Sequence, residues 1–407
     1  MAVADVSVYE AALKLGWTQD QLEKQFYAED PLLDSIQKET PITTIGKEAL
    51  TPVWTGRGGG YSVVPPTGSA ALNIPDSQEL NQAKWKYRRH WKQIKIDTAA
   101  VTQTTGTGNA VASTVDTEVE GAISDTRKQI TRQLFSDQTA RIAQCATTAS
   151  STTVKLLSTG MGYQAIRNGW LVPGQMIDIG TKTEEGVIAA DREILEVVEN
   201  ESEPKIKISG AAVEPGETHY VSIANARSGE TSYENNGFGN IISETTTLGE
   251  INPSTVPGWK AVVDSEAAAI TLGRIYKLQR RVRQKGERGD WAFTSLKQLE
   301  NIFKLLQPQV RFAGADGSLQ TGDGESVMVG NIKVQGHVDC PDQAFYLATK
   351  KHLFALRTDQ PYWVPERYGK SILEWKQEST FLISALEYYF EMGVNRRNAF
   401  GAMTALT

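Results

Sequence analysis

The stretch Lys84-Trp85-Lys86-Tyr87-Arg88-Arg89-His90-Trp91-Lys92 alternates with a period of two, which commits it to a β-strand. Trp85, Tyr87 and Trp91 are expected on one face and Lys84, Lys86, Arg88 and Lys92 on the other. The parity then changes to Ile94 and Ile96, which signals a bulge or bend. Upstream, Gly58-Gly59-Gly60 and Pro65-Pro66-Thr67-Gly68 are turn material, so residues 51–103 read as two long strands forming a ribbon with a loop near Ser69 to Asn81. A two-stranded ribbon is only marginally stable in water. Each of its large aromatics offers about 150–250 Å² for burial. The ribbon therefore needs cover, from its own chain or from another.

Long α-helical spacing follows. Ser113 is a candidate N-cap, and Asp116, Glu118 and Glu120 suit the positive end of a helix dipole. Val115, Val119, Ile123, Ile130, Leu134 and Ile142 keep helical periodicity, which predicts a helix over 114–145. No comparably long helix follows it, which disfavours a bundle. Before the ribbon, Ser7 to Glu10 and Thr18 to Gln21 open two helices too short to stand alone in water. Residues 1–50 read either as an arm that lies against something else or as an ordinary helical subdomain.

Downstream of the long helix the pattern becomes strand-like. Gln175 to Ile179, Glu193 to Val198, Lys205 to Ile208 and Tyr220 to Ile223 are separated by turn residues, which predicts a small barrel or sandwich inserted over 152–224. The remainder alternates helices (Ala267 to Gln284, and Ser295 to Leu306 ending before Pro308) with strands (Trp291 to Thr294, Val327 to Val334, Ala344 to Ala348, Phe381 to Phe390). That is an α+β arrangement.

Several chemistries are excluded on residue type and spacing. Gly106-Thr107-Gly108 lacks the third glycine and the βαβ unit of a dinucleotide site, and Gly237-Phe238-Gly239 fares no better. His337, Asp339 and Cys340 cluster, but with two cysteines and four histidines in the whole chain a zinc site is disfavoured. A thiol nucleophile would also need an oriented base. Asp316, Asp323 and Glu325 lack calcium-loop spacing. No catalytic, cofactor or metal site is expected. The two distant cysteines suit a reducing cytosol without a disulfide framework, and no apolar run of about 18 residues is present to span a membrane. Met1 to Glu10 has no signal-peptide pattern. A net charge of −6 argues against a surface that grips nucleic acid throughout. The basic ribbon with interleaved aromatics resembles a single-strand nucleic-acid platform, but aromatics are normal strand residues and the rest of the chain carries no matching basic groove, so an amphipathic strand with one packed and one solvated face is the favoured reading.

The order of elements is helical arm, ribbon, long helix, β insertion and α+β region. It resembles the major capsid proteins of tailed bacteriophages, the Hong Kong 97-type fold. The resemblance is carried by the ribbon leading through Val115-Asp116-Thr117-Glu118 into the long helix. It is carried also by Tyr233 to Phe238 with Pro257-Gly258-Trp259-Lys260, and by Val327 to Asp339 with Ala344 to Leu347, closing on Asn395 to Gly401. The resemblance implies an N-terminal arm (1–50), an extended loop (51–103), a peripheral domain holding the spine helix (104–151, 225–265 and 375–407), an insertion (152–224) and an axial domain (266–374). It implies a non-enzymatic subunit that assembles with itself into pentamers and hexamers of an icosahedral head, in the host bacterial cytoplasm. The head would enclose double-stranded DNA without tight sequence-specific binding. A separate scaffolding protein, a portal protein and a decoration protein are the partners implied. The subunit-interface candidates are Lys84, Trp85, Tyr87, Arg88 and Trp91, with Trp85 and Trp91 expected to serve assembly more than subunit folding. A tail or adhesion component and a single-strand nucleic-acid binder remain alternatives. Some proteins of this type weld their shells through a loop lysine. Gly58 to Ala83 contains no lysine, so a non-covalent shell is expected.

Overall fold

The computed structural model describes residues 32–33, 36, 44–45, 48–59, 61–64, 66–67, 74, 77–97, 108–181, 187–228, 231–310, 326–357, 361–367, 373–375 and 381–407. The helices expected near residues 7–16 and 18–26, the Gly106-Thr107 pair and the Asp316–Glu325 loop lie outside the described residues.

The ribbon is real but shorter than its sequence span. Glu48–Gly56 pairs antiparallel with Glu79–Lys86, in a register that sets Glu48 opposite Lys86 and slips once between Trp54 and Gly56. The chain leaves strand geometry at Tyr87, and Arg88–Asp97 then pairs with the long strand Phe381–Val394. The parity change therefore falls at Tyr87 rather than beside Ile94. It separates the aromatics expected on one face. Trp85 is 1 % exposed in the main core, whereas Trp91 is 49 % exposed on the opposite side from Ile94 and Ile96. Trp85 is thus a core residue of the subunit, contrary to its expected role mainly in assembly. Ala49, Val53, Ala83 and Trp85 at the ribbon's base share one apolar cluster with Ile94, Ile123, Phe354 and Tyr388.

The long helix runs Gly108–Leu134, not 114–145. It ends in a tightened turn, in which the Phe135 and Ser136 amides donate to the Arg132 and Gln133 carbonyls at 3.2 and 3.1 Å. Gln138 and Ala140 then adopt positive φ of 62° and 59°, a backbone state no helix propagates. Local hydrogen bonds hold the turn that follows, where Asp137 Oδ1 accepts from the Thr139 amide at 3.1 Å, and the apolar spacing that reached to Ile142 is not continued as helix.

Ile142 instead enters the core of the inserted unit. That core also holds Ile177, Ile179, Ile194, Ile206, Ile208 and Val221. Its six strands are ordered Ala143–Gln144, Tyr220–Ile223, Met176–Gly180, Val187–Val198, Lys205–Ile208 and Thr153–Lys155. The two end strands meet, because the Ala146 amide donates to the Lys155 carbonyl at 2.9 Å and the Leu157 amide to the Gln144 carbonyl at 3.0 Å. The sheet therefore closes into a small barrel with no free edge along that seam.

A second six-stranded sheet is ordered Val262–Asp264, Gly401–Met403, Phe345–Ala348, Trp291–Thr294, Ile332–Gly336 and Ser326–Val329. The run expected as one strand over Val327 to Val334 is a hairpin, turned at Gly330 with φ of 64°. Its covering helices are Leu272–Gln284 and Leu296–Val310. The second helix carries Pro308 in its last turn, where the missing N–H disturbs one bond at most, so it does not stop before that proline. Side chains alternate through this sheet. Ala292, Phe345 and Leu347 pack under the helices, while Trp291, Phe293 and Tyr346 face the main core.

Candidate assembly surface

The five ribbon residues singled out from the sequence do not form one patch. Lys84 Nζ lies 2.8 Å from Glu250, which raises the lysine's pKa, chiefly through that hydrogen bond. Lys86 is 3.4 Å from Glu48 and 3.6 Å from Glu250. Trp85 lies edge-on to Phe354, with ring centroids 5.5 Å apart, and its indole N–H donates to Thr51 Oγ1 at 3.2 Å. Tyr87 is half-buried against the main core. Arg88 Nε donates to Glu391 at 3.2 Å. Arg89 pairs with Glu387 and lies 4.5 Å from the centre of the Trp91 ring. Lys92 bonds Asp125 on the long helix at 2.7 Å. Each of these cations has a carboxylate of its own chain, so the row is a set of intramolecular struts and not an open cationic groove. Only Trp91 of the five keeps a large exposed apolar surface.

Beneath this strand lies a polar seam that sequence reasoning did not find. Glu391 is 1 % exposed. Burial is the largest influence on it and pushes its carboxyl up to about 7, against the Asn236 amide, which donates to it at 2.7 Å, and Arg88. His90 contacts Asn235 Oδ1 at 3.1 Å, and loss of water lowers its pKa to about 4. Arg132 pairs with Glu234, both 3 % exposed. Arg397, wholly buried, donates to the carbonyls of Ile241, Thr246 and Asn240 at 2.7, 2.7 and 3.0 Å. The seam joins the strand Arg88–Asp97, the end of the long helix, the segment Glu234–Asn240 and the strand Phe381–Val394. The forward signal was composition: Glu234-Asn235-Asn236 is a polar run between Tyr233 and Phe238, and Arg396-Arg397-Asn398 is a polar run just before Phe400.

Gly237-Phe238-Gly239 serves packing. A Cβ on Gly237 would lie 2.4 Å from the Gln133 and Ser136 carbonyl oxygens, so only glycine lets this turn approach the helix end. Asp339 and Cys340 likewise hold the barrel, while the His337 ring lies 4.8 Å from that of Phe135 and accepts from the Asp339 amide at 3.1 Å. Trp170 donates to Asp339 at 2.6 Å, Gln164 to the Cys340 carbonyl at 2.8 Å and Asn168 to the Val338 carbonyl at 2.7 Å. Cys340 is buried, which raises its thiol pKa, the wrong direction for a nucleophile. Among the described residues no three His, Cys, Asp or Glu side chains converge as metal ligands, and no helix is long and apolar enough to cross a membrane.

The exposed apolar surface lies elsewhere, toward the ribbon's tip. Tyr61, Val63, Ile74 and Leu80 are 87, 84, 92 and 72 % exposed, and Trp54 is 65 % exposed. A groove of about 740 Å³ between the strand Arg88–Asp97, the long helix and the barrel is lined by Trp91, Val172 and Tyr233.

No family model and no curated protein matches the chain. Solved structures do. The chain of the cyanophage A-1(L) capsid asymmetric unit superposes with a TM-score of 0.56 at 15 % identity, covering 93 % of both chains. A Mycobacterium phage Adephagia chain gives 0.43 at 10 % identity over 99 % of this chain and 98 % of that one. The capsid of a native GTA particle gives 0.44 at 8 % identity over 92 % and 90 %. The first of these carries the comparison. The chain shares the fold of that capsid subunit, an α+β fold of the Hong Kong 97 type.

Proposed function

We propose that this chain is the major capsid protein of a tailed bacteriophage. It is a structural, non-enzymatic subunit that builds pentamers and hexamers of an icosahedral head around double-stranded DNA. The observation that carries this reading is the end-to-end fold match, over 93 % of both chains, to a subunit of a phage capsid. The ribbon supports it. Five large apolar side chains toward its tip are more than 60 % exposed, and a second copy of the chain is the cover a shell provides. Under this reading the arm is 1–50 and the extended loop 51–103. The peripheral domain is 104–151, 225–265 and 375–407, the insertion 152–224 and the axial domain 266–374. The strands Val262–Asp264 and Gly401–Met403 are where the peripheral segments join the axial sheet. A separate scaffolding protein, a portal and a decoration protein are the expected partners, and the mature location is the virion after assembly in the host cytoplasm. The paired state of Lys84, Lys86, Arg88, Arg89 and Lys92 weighs against the single-strand binder. Negative-stain microscopy of the purified protein, alone and co-expressed with its neighbouring genes, tests the proposal. Closed shells are expected. Rings or tubes support the tail component, and discrete particles with salt-sensitive single-strand affinity support the binder; either outcome overturns it.

A further inference from the structure

The helices Leu272–Gln284 and Leu296–Val310 lie on one face of the second six-stranded sheet. Ile275, Leu278, Val282, Leu299 and Ile302 pack there with Ala292, Val334 and Phe345. The other face of that sheet meets the main core, so the outer side of the helix layer points away from the rest of the subunit. The first helix is strongly one-signed. Between Leu272 and Asp290 the chain has seven Lys or Arg against two carboxylates, in a protein of net charge −6.

Those cations divide into two groups. Arg274 and Arg281 are tied down at the helix's flank. Arg274 donates to the Ala268 carbonyl at 2.7 Å and sits 3.5 Å from Asp264. Arg281 donates to the Val263 carbonyl at 2.9 Å and lies 3.8 Å from Glu244. Lys277, Arg280 and Arg283 are exposed and have no ion pair among the described residues, and exposed Lys285 and Arg288 continue the row. At 100° per residue the three free cations sweep about 120° of the outer face, rising about 4.5 Å at each step. The nearest carboxylate in sequence, Glu287, is held by Lys351 at 2.9 Å, His352 at 3.1 Å and Arg396 at 2.9 Å, so its charge is already answered.

Ordinary helix economics do not account for the row. Cations in the last turn are favoured by the helix dipole, which explains Arg281 and Arg283, but that effect fades within one turn. Lys277 and Arg280 lie beyond it. Glutamate is as good a helix former at such positions, yet Lys277–Arg280, Lys277–Arg281 and Arg280–Arg283 set like charges three or four residues apart, each pair unfavourable by about 0.2–0.5 kcal/mol. A polyanion laid along the face relieves that repulsion. A protein partner would need large apolar anchors at its centre. On the helix Leu272–Gln284 Tyr276 is the one large apolar side chain so exposed, at 48 %. Phosphates need only the cations.

We propose that the outer face of Leu272–Gln284 is a sequence-independent contact for the phosphate backbone of duplex DNA, made by Lys277, Arg280 and Arg283. The proposal rests on the capsid reading, because the packaged genome is the polyanion that a head subunit meets. The test uses the full-length subunit and a short fluorescent duplex, followed by anisotropy at about 50 and about 150 mM salt. Three neutralised phosphates predict binding roughly 20-fold tighter at the lower salt. Lys277→Gln, Arg280→Gln and Arg283→Gln combined, which keep helix propensity, should cut that ratio below about threefold, with an unchanged circular dichroism spectrum. Lys84→Gln with Lys86→Gln should leave it as in the parent, and a duplex of unrelated sequence should bind equally. A triple variant that binds like the parent overturns the proposal. So does poly-glutamate displacing the duplex at equal charge concentration, which would mark an acidic-protein surface. Microscopy of the same two proteins, each co-expressed with the neighbouring genes, keeps the two readings apart. Shells from the parent and the triple variant are expected, and a parent that forms none refutes the capsid reading whatever the titration gives.

Discussion

Replacing Trp85 by alanine should unfold the subunit before it disturbs the shell, whereas replacing Trp91 should do the reverse. Trp85 is 1 % exposed, meets Phe354 edge-on and donates its indole N–H to Thr51, which ties the ribbon's two strands to each other and to the strand Leu353–Arg357. Truncation to alanine leaves a cavity the width of an indole. The usual cost of such a change in a packed core is about 3–5 kcal/mol, and loss of the hydrogen bond adds about 1 kcal/mol. Trp91 is 49 % exposed and lies over Arg89, so its removal should cost the isolated subunit less than about 1 kcal/mol. Urea titration of unassembled subunits, read by circular dichroism, measures the first effect, and sedimentation of assembled particles the second. Trp85→Ala should lower the urea midpoint strongly. Trp91→Ala should leave it within error and reduce the yield of shells. Equal midpoints for Trp85→Ala and the parent, or full shell yield from Trp91→Ala, would refute the assignment of the two tryptophans to opposite faces.

Three further outcomes follow from the seam and the ribbon. Glu391 has its carboxyl raised to about 7, so the proton it holds when folded favours the fold below its ordinary value near 4.5. That contribution, on the order of 3 kcal/mol, is lost as pH rises from about 4.5 through 7; Glu391→Gln should flatten the slope of unfolding free energy in that window, and an unchanged slope would assign it to another group. Arg397→Lys leaves at least one of the carbonyls of Ile241, Asn240 and Thr246 without its donor, and should destabilise the subunit by about 3 kcal/mol in a urea titration; an unmoved midpoint would show the seam to be dispensable. Mature particles boiled in denaturant and reductant should run as one band near 44.6 kDa, because the described ribbon-tip residues include no lysine and Lys84 is engaged by Glu250; a ladder of heavier bands would show a covalent weld.

The chain's local chemistry determined the element types and most of their positions. Lys205–Ile208, Tyr220–Ile223 and Trp291–Thr294 fall where alternation or an apolar run placed them, because side-chain period is a property of the strand itself. The order of elements also carried the capsid fold, since topology follows chain order when connections are short. Three things were decided only by tertiary contacts. The long helix stops at Leu134 because Gly237 and Gly239 let another turn close on its end, and that partner lies about a hundred residues away. Trp85 and Trp91 part company because Arg88–Asp97 pairs with a strand near the other end of the chain, which resets parity at Tyr87. The basic ribbon is quenched because Glu250, Glu387, Glu391 and Asp125 are brought to it by folding. A run of lysines and arginines is visible in one dimension. Whether it is a strut or a surface depends on carboxylates that only the folded chain delivers, which is why the ribbon's cations are paired and, among the described residues, those on the outer face of the helix Leu272–Gln284 are not.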